Sequence, residues 1–356
     1  MGALAIRAPM RAPLVTRYLV PLSVVPLNAG NLGRVGGSLR AACRSEDTSP
    51  ALPAALTVEV SDTLPFDDFV RVYTPVRPVY LSLVGAPDPL GNPRLAEMVA
   101  HATAAGTCVS LVTDGTRLDA GRAYALLCAG LAKMKVTVAA VGPDVGEAVL
   151  RNVERFVAMR DANRWPAPEI ELQLVVTPDT VAQAGALVEL CHRRFTNIAA
   201  DIVLSTAGAR AGGEDVPVGD ADALAELRRA RALAETYALP RTVGALDAAL
   251  VQLTQDLSRA PCYVPWYTCV VAADGEVFPC GPHAARGTGV GNALRTPFAE
   301  VWNGAELRAF RAGLRERRRD DAVCAGCRHE DGPLDRVFGA AARVPGLGAG
   351  SARSGR

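Results

Sequence analysis

Lysine is almost missing from this chain: among its 38 lysines and arginines, only Lys133 and Lys135 are lysines. An excess of positive charge is missing as well. The formal net charge is +1, which excludes a global electrostatic pull toward nucleic acid or an anionic membrane surface. The preference for Arg, together with abundant Ala, reads as a high-GC coding bias. No apolar stretch approaches the ~20 residues that a membrane-spanning helix needs. Cysteine is sparse too, nine in 356 residues, too few for a disulfide-dense secreted scaffold. Arg7, Arg11 and Arg17 precede an apolar run in the manner of a signal peptide. Pro21 and Pro26 interrupt that run, and it leads into a strand-like segment, so export is rejected and the cytoplasm is the expected location.

What is present is the material of a sizeable core. Hydrophobic residues make up 49% and charged residues 21%, and the length suits one large α/β domain with a smaller appendage. Residues 1–16 form a loose leader, and RYLVPLSVVPLN (17–28) reads as a buried strand running into the Gly-rich turn AGNLGRVGG. After a Pro/Ser-rich connection, LPFDDFVRVY (64–73) has helical spacing. Strands are then expected at 79–85, 108–115, 135–142, 169–177 and 197–206, with amphipathic helices at 92–106, 120–130, 147–164 and 180–194 between them. Repeated βα units imply a parallel sheet with right-handed crossovers. Six strand units over 17–206 suit a partial (β/α)6 TIM-like barrel, with its chemistry at the C-terminal ends of the strands. Residues 207–258 form a Gly-rich linker and two helices, and 259–336 a small Cys-rich domain of a β-hairpin and helices. The Gly/Ala/Arg/Ser tail 337–356 lacks the apolar surface to fold and is expected to be disordered.

Five of the nine cysteines fall between 262 and 327. Cys262 and Cys280 flank VVAADGEVFP, two short strands joined at Asp274-Gly275, a strong hairpin signal that can return Cys280 to the neighbourhood of Cys262. Cys324 and Cys327 form a CxxC that places two thiolates on one turn. Together they make four thiolates, the set required by a tetrahedral zinc or by a [4Fe–4S] cluster. Cys269, within the strand-like YTCVV, is expected to be a packed core thiol.

The order C-x-x-P-W, D-G-x-V-x-P-C, G-N, W-N, an Arg-rich helix and C-x-x-C resembles the twitch or short SPASM auxiliary-cluster domain of radical-SAM enzymes. It is carried here by Cys262, Pro265-Trp266, Asp274-Gly275, Val277, Pro279-Cys280, Gly291-Asn292, Trp302-Asn303 and Cys324/Cys327. The resemblance implies that Cys262, Cys280, Cys324 and Cys327 hold one auxiliary [4Fe–4S] cluster. It extends upstream over most of 17–206, where the family opens its barrel with a P-T-N-x-C-N-L-x-C-x-x-C-like motif. Its three cysteines hold the cluster that cleaves S-adenosylmethionine. The frame Pro26–Gly37 is kept here, but the ligand positions are Gly30, Arg34 and Gly37. Two glycines and a guanidinium offer no thiolate, and the nearest thiol, Cys43, stands alone.

The second family signature, a G-G-E-P-L that binds the amino group of S-adenosylmethionine, survives as Gly85-Ala86-Pro87-Asp88-Pro89-Leu90, with Asp88 keeping the carboxylate. The third, T-N-G-T, survives as Thr113-Asp114-Gly115-Thr116. Asp88, Thr113 and Asp114 are therefore expected to form a vestigial S-adenosylmethionine site, and bound S-adenosylmethionine is doubtful. The end of the fourth strand, VAAVG (138–142), keeps no polar side chain. The expectation is a pseudoenzyme of the radical-SAM superfamily, partnering a peptide, a carrier protein or an active homologue in a peptide-modification or natural-product pathway. The alternative is a diverged enzyme that uses the retained cluster, or cluster-free S-adenosylmethionine, for redox or transfer chemistry. His283 and His329 are read as partly exposed loop residues, and His101 and His192 as structural. The basic stretch Arg308–Arg319 is read as a solvated helix face before a docking surface.

Overall fold

The computed structural model describes residues 51–85, 87–138, 146–195, 198–204, 215–255, 262–316, 322–325 and 327, with parts of 33–49. The expected leader, the strand 17–28, Gly30, Arg34, Cys43, most of VAAVG, Arg317–Arg319, His329 and the tail lie outside the described residues.

Six parallel strands follow one another: β1 (Ala55–Glu59), β2 (Tyr80–Val84), β3 (Cys108–Thr113), β4 (Lys133–Val138), β5 (Glu169–Val176) and β6 (Ile198–Leu204). The helices between them are α1 (Phe66–Val76), α2 (Leu95–Ala104), α3 (Ala120–Cys128), α4 (Glu147–Ala162) and α5 (Ala184–Arg194). Each strand lies beside the one before it, in the order β6-β5-β4-β3-β2-β1. A consistent right-handed crossover then puts every helix on the same face, the winding of a barrel wall. That face is apolar: Leu56, Val58, Leu81, Leu83, Val109, Leu111, Met134, Val136, Ile170, Leu172 and Leu174 are all buried in the main core.

The strand beside β2 is the one that sequence reading passes over. Ala55–Glu59 has only five residues, and the prolines before it mark it as a connection. Its alternation, with Leu56 and Val58 buried and Thr57 and Glu59 half-exposed, is nevertheless that of a strand covered on one face.

After β6 come α6 (Ala221–Thr236) and α7 (Pro240–Thr254), and α7 covers the outer edge of the sheet. There the Thr242 hydroxyl accepts the Ala200 N–H at 3.0 Å, satisfying an edge donor that would otherwise be open. The chain then crosses to the other edge. The short helix α8 (Val264–Tyr267) leads into β7 (Thr268–Val271), which pairs parallel with β1. β8 (Glu276–Phe278) returns antiparallel, and β9 (Gly291–Asn292) adds a third, antiparallel strand. The Cys-rich hairpin thus extends the barrel sheet to nine continuous strands among the described residues. The remaining helices are α9 (Gly281–Arg286), α10 (Phe298–Trp302), α11 (Ala305–Arg315) and α12 (Ala322–Ala325). Among the described residues no helix is long and apolar enough to cross a membrane.

Candidate functional site

The hairpin forms as its sequence demands. Asp274-Gly275 makes the turn with Gly275 at φ +86°, a conformation that favours glycine, and the Asp274 carboxylate accepts the Glu276 N–H. Asn292 locks the turn from β9, donating to the Asp274 carbonyl at 3.0 Å and accepting the Leu294 N–H at 2.9 Å. Cys280 therefore ends up beside Cys262. Cys324 and Cys327 share a turn in which the Cys327 N–H reaches the Cys324 carbonyl at 3.3 Å.

All four cysteines line one pocket, with Val264, Pro265, Pro282, His283, Phe310, Leu314 and Val323 completing its wall. None is in a disulfide, and each is half-buried. Apart from the cysteines and His283, the wall is apolar. This donor set fits a group that takes four thiolates in a largely apolar setting. Among the described residues, no three Cys, His, Asp or Glu side chains converge on a single ion position. Cys269 lies outside the set, fully buried in β7, where burial pushes its thiol up to about 12.

His283 corrects the expectation of a partly exposed loop residue. It sits in α9, is 2% exposed, and brings Nε2 to 3.6 Å from Cys324 Sγ. Its ring packs edge-on against Phe310 at 4.9 Å. Arg311 corrects the solvated-face reading in the same way. It is fully buried, stacks 4.4 Å over the Trp302 ring, and donates to the carbonyls of Pro265 (3.0 Å) and Trp302 (2.9 Å). Burial pulls its guanidinium down to about 10. The W-N motif is a clamp: Trp302 Nε1 donates to the Ala51 carbonyl, and Asn303 exchanges two bonds with the Ser49 backbone. His101 lies edge-on to Tyr73, and His192 stacks on Tyr237.

At the C-terminal ends of β2 and β3 the structure brings Asp88, Thr113 and Asp114 together. The buried Asp88 carboxylate accepts the Leu90 N–H (2.8 Å), the Thr113 hydroxyl (2.8 Å) and the Asp114 N–H (2.7 Å). It is thereby the cap of the turn that follows β2 and the staple between two strand ends. Burial holds this carboxyl above the usual carboxylate range, against the lowering effect of those bonds.

Sequence reasoning missed a charged group on the face of the sheet away from the helices. Lys133 Nζ lies 2.7 Å from Glu171. Lys135 Nζ lies 2.7 Å from Asp201 and 3.6 Å from Glu171, and Gln173 donates to Asp201 at 2.9 Å. Burial alone would raise the Asp201 carboxyl, but the Lys135 ammonium holds it below its ordinary value. Burial likewise opposes the Lys135 charge, and the two carboxylates more than offset it. A signal was on the page: both lysines of an otherwise all-Arg chain lie here, at alternate positions of one strand. A compact ammonium fits between two carboxylates where a planar guanidinium does not.

Comparison with known proteins agrees with this geometry. Residues 262–328 match the SPASM family, described as an iron–sulfur cluster-binding domain. The chain is 28% identical over 222 residues to a PqqA peptide cyclase of Streptomyces rochei, covering 60% of this chain and 60% of that protein's length. Among solved structures it resembles SuiB of Streptococcus suis bound to its precursor peptide SuiA, with a TM-score of 0.56 at 14% identity over 80% of this chain and 70% of that one. It likewise resembles SuiB bound to S-adenosylmethionine, with a TM-score of 0.55 at 14% identity over 80% and 72%. The parallel barrel wall thus has the fold of those structures, and residues 262–328 are similar to a SPASM domain.

Proposed function

We propose that this chain is a peptide-directed iron–sulfur protein that takes part in modifying a peptide and carries one [4Fe–4S] cluster on Cys262, Cys280, Cys324 and Cys327. The observation that carries the reading is the single apolar pocket ringed by those four thiols. A cubane takes one thiolate per iron at its corners, so it suits thiols spaced around a wall. A lone zinc needs all four within ~2.3 Å of one point. The peptide enters through the relatives, a PqqA peptide cyclase and a SuiB that binds SuiA.

The relatives favour an enzyme. On that version the chain is a diverged member that uses the C-terminal cluster for electron transfer, and the cluster would supply one-electron redox chemistry beside the bound peptide. The residues of the barrel favour the other version, a non-catalytic partner of a peptide, a carrier protein or an active homologue. Gly30, Arg34 and Gly37 supply no thiolate for a second cluster. The described part of that motif is also far from the old S-adenosylmethionine end. Val35 packs against the cluster of Val79 and Cys108, at the N-terminal ends of β2 and β3. Asp88 and Thr113 sit beyond the opposite ends, about 15–20 Å away along strands of five or six residues. On both versions Asp88, Thr113 and Asp114 are the remnant of an S-adenosylmethionine site.

Anaerobic reconstitution followed by iron and sulfide counting tests the shared claim. About four irons per chain is expected from the four-thiolate stoichiometry, about eight would restore a second cluster, and zinc without visible absorption would sink the iron–sulfur reading. Incubation with dithionite and S-adenosylmethionine separates the versions. No 5′-deoxyadenosine is expected, and its formation would overturn the loss of reductive cleavage.

A further inference from the structure

We infer that His283 is a positioning residue for the cluster, donating a hydrogen bond from Nε2 to the Cys324 sulfur and thereby raising the cluster's reduction potential. The inference rests on the iron–sulfur reading above and adds a residue that the four-cysteine pattern does not include.

The backbone delivers this side chain to the pocket. α9 begins directly after Cys280, with the Ala284 N–H bonded to the Cys280 carbonyl at 3.1 Å. It ends at Gly287, whose φ of +71° reverses the chain, and the Thr288 N–H closes back on the His283 carbonyl at 3.2 Å. His283 is thus held in a single helical turn hung on a ligand, and its imidazole is turned back over the thiol pocket. Phe310, from α11, holds the ring edge-on at 83°. Nε2 then faces Cys324, on α12, at 3.6 Å, within range for a sulfur acceptor. Three separate elements fix the ring, so this contact is built into the packing.

A neutral imidazole carries one N–H, and a ligating thiolate opposite Nε2 selects the tautomer with the proton there. Reduction adds negative charge to a cluster and its sulfurs. A donor aimed at one of those sulfurs stabilises the reduced state more than the oxidised one, which raises the potential. The apolar wall strengthens the effect by lowering the local dielectric around the sulfur.

The test uses the reconstituted full chain with His283→Phe and His283→Gln, read by iron content, EPR-monitored redox titration and pulsed EPR in deuterated buffer. Wild type should hold about four irons and show an exchangeable deuteron coupled to the cluster. His283→Phe should keep the iron, lose the deuteron coupling and shift the reduction equilibrium about tenfold toward the oxidised state, about 59 mV for a one-electron couple. His283→Gln, which restores an N–H donor, should titrate close to wild type. An unchanged potential in an iron-replete His283→Phe would overturn the assignment. So would the strong nitrogen coupling of an imidazole bound to iron in wild type. If His283→Phe fails to load, His283→Gln decides: a wild-type potential with the deuteron coupling upholds the assignment, and loss of either refutes it. Absence of iron from wild type would instead bring down the cluster reading itself, and this assignment with it.

Discussion

The two motif-bearing places of this chain, the ends of β2 and β3 and the Cys-rich hairpin, are built in opposite ways. At the C-terminal ends of β2 and β3, the Asp88 carboxylate spends its acceptors on the protein, on two backbone N–H groups and the Thr113 hydroxyl. Beyond β1, where the hairpin extends the sheet, four cysteines turn their thiols onto a common pocket with a largely apolar wall. At Asp88 the retained residues hold two strand ends together. At the cysteines the neighbouring residues shape the pocket: Asn292 pins the hairpin that places Cys280, Arg311 ties α11 to the backbone at Pro265 and Asp47, and Trp302 ties α10 to Ala51.

The sharpest way to break this comparison is at the pocket. Cys280→Ala should abolish the cluster, so that iron falls from about four per chain to near zero and the visible absorption disappears, while far-UV circular dichroism stays close to wild type. A variant that kept its iron would remove Cys280 from the ligand set. A step smaller is Lys135→Ala, which leaves Asp201 and Glu171 partly buried without their shared ammonium. It should cost about 3 kcal/mol, the scale for removing one partner of a largely buried pair, read as a fall in the denaturant midpoint at unchanged slope. Lys135→Arg should recover little of that loss. A fully stable Lys135→Ala would mean that the barrel interior tolerates an Asp201 carboxylate without its ammonium, Glu171 still having Lys133 at 2.7 Å.

How much of this was legible beforehand follows from which interactions are local. The strands from 80 onward and their helices announce themselves through apolar periodicity, because each buries one stripe against the same core. The hairpin around Asp274-Gly275 was legible for the same reason, its turn being set by four neighbouring residues. β1 was not: five residues between proline-rich connections carry too little pattern, and only the pairing with β2 and β7 makes them a strand. The continuity of the Cys-rich hairpin with the barrel wall was hidden for that same reason. His283 and Arg311 were misjudged because their burial depends on long-range partners, Cys324 and Phe310 for one, Pro265 and the 47–51 segment for the other. In the sequence, Lys133 and Lys135 stand out by composition alone. Their meaning lay in Glu171 and Asp201, which reach them only when β5 and β6 take their places in the sheet.

The smallest expected effect tests the other half of the comparison. Asp88→Ala removes the acceptor of two backbone N–H groups and a buried hydroxyl, and leaving such donors unmet costs about 2 kcal/mol. The loss should show in the denaturant midpoint, with cluster content unaffected. Its pH dependence has a definite sign. Burial raises the folded-state pKa of Asp88, so its contribution is fully present below the ordinary carboxylate value and is lost as pH rises through the folded one. The gap between wild type and Asp88→Ala should therefore widen on acidification from about pH 7 toward about pH 4. Any affinity for S-adenosylmethionine should be the same in both proteins, because the carboxylate is already engaged. If Asp88→Ala instead lost ligand affinity at unchanged stability, Asp88 would be a binding residue still in service, and the barrel would have to be read as diverged rather than emptied.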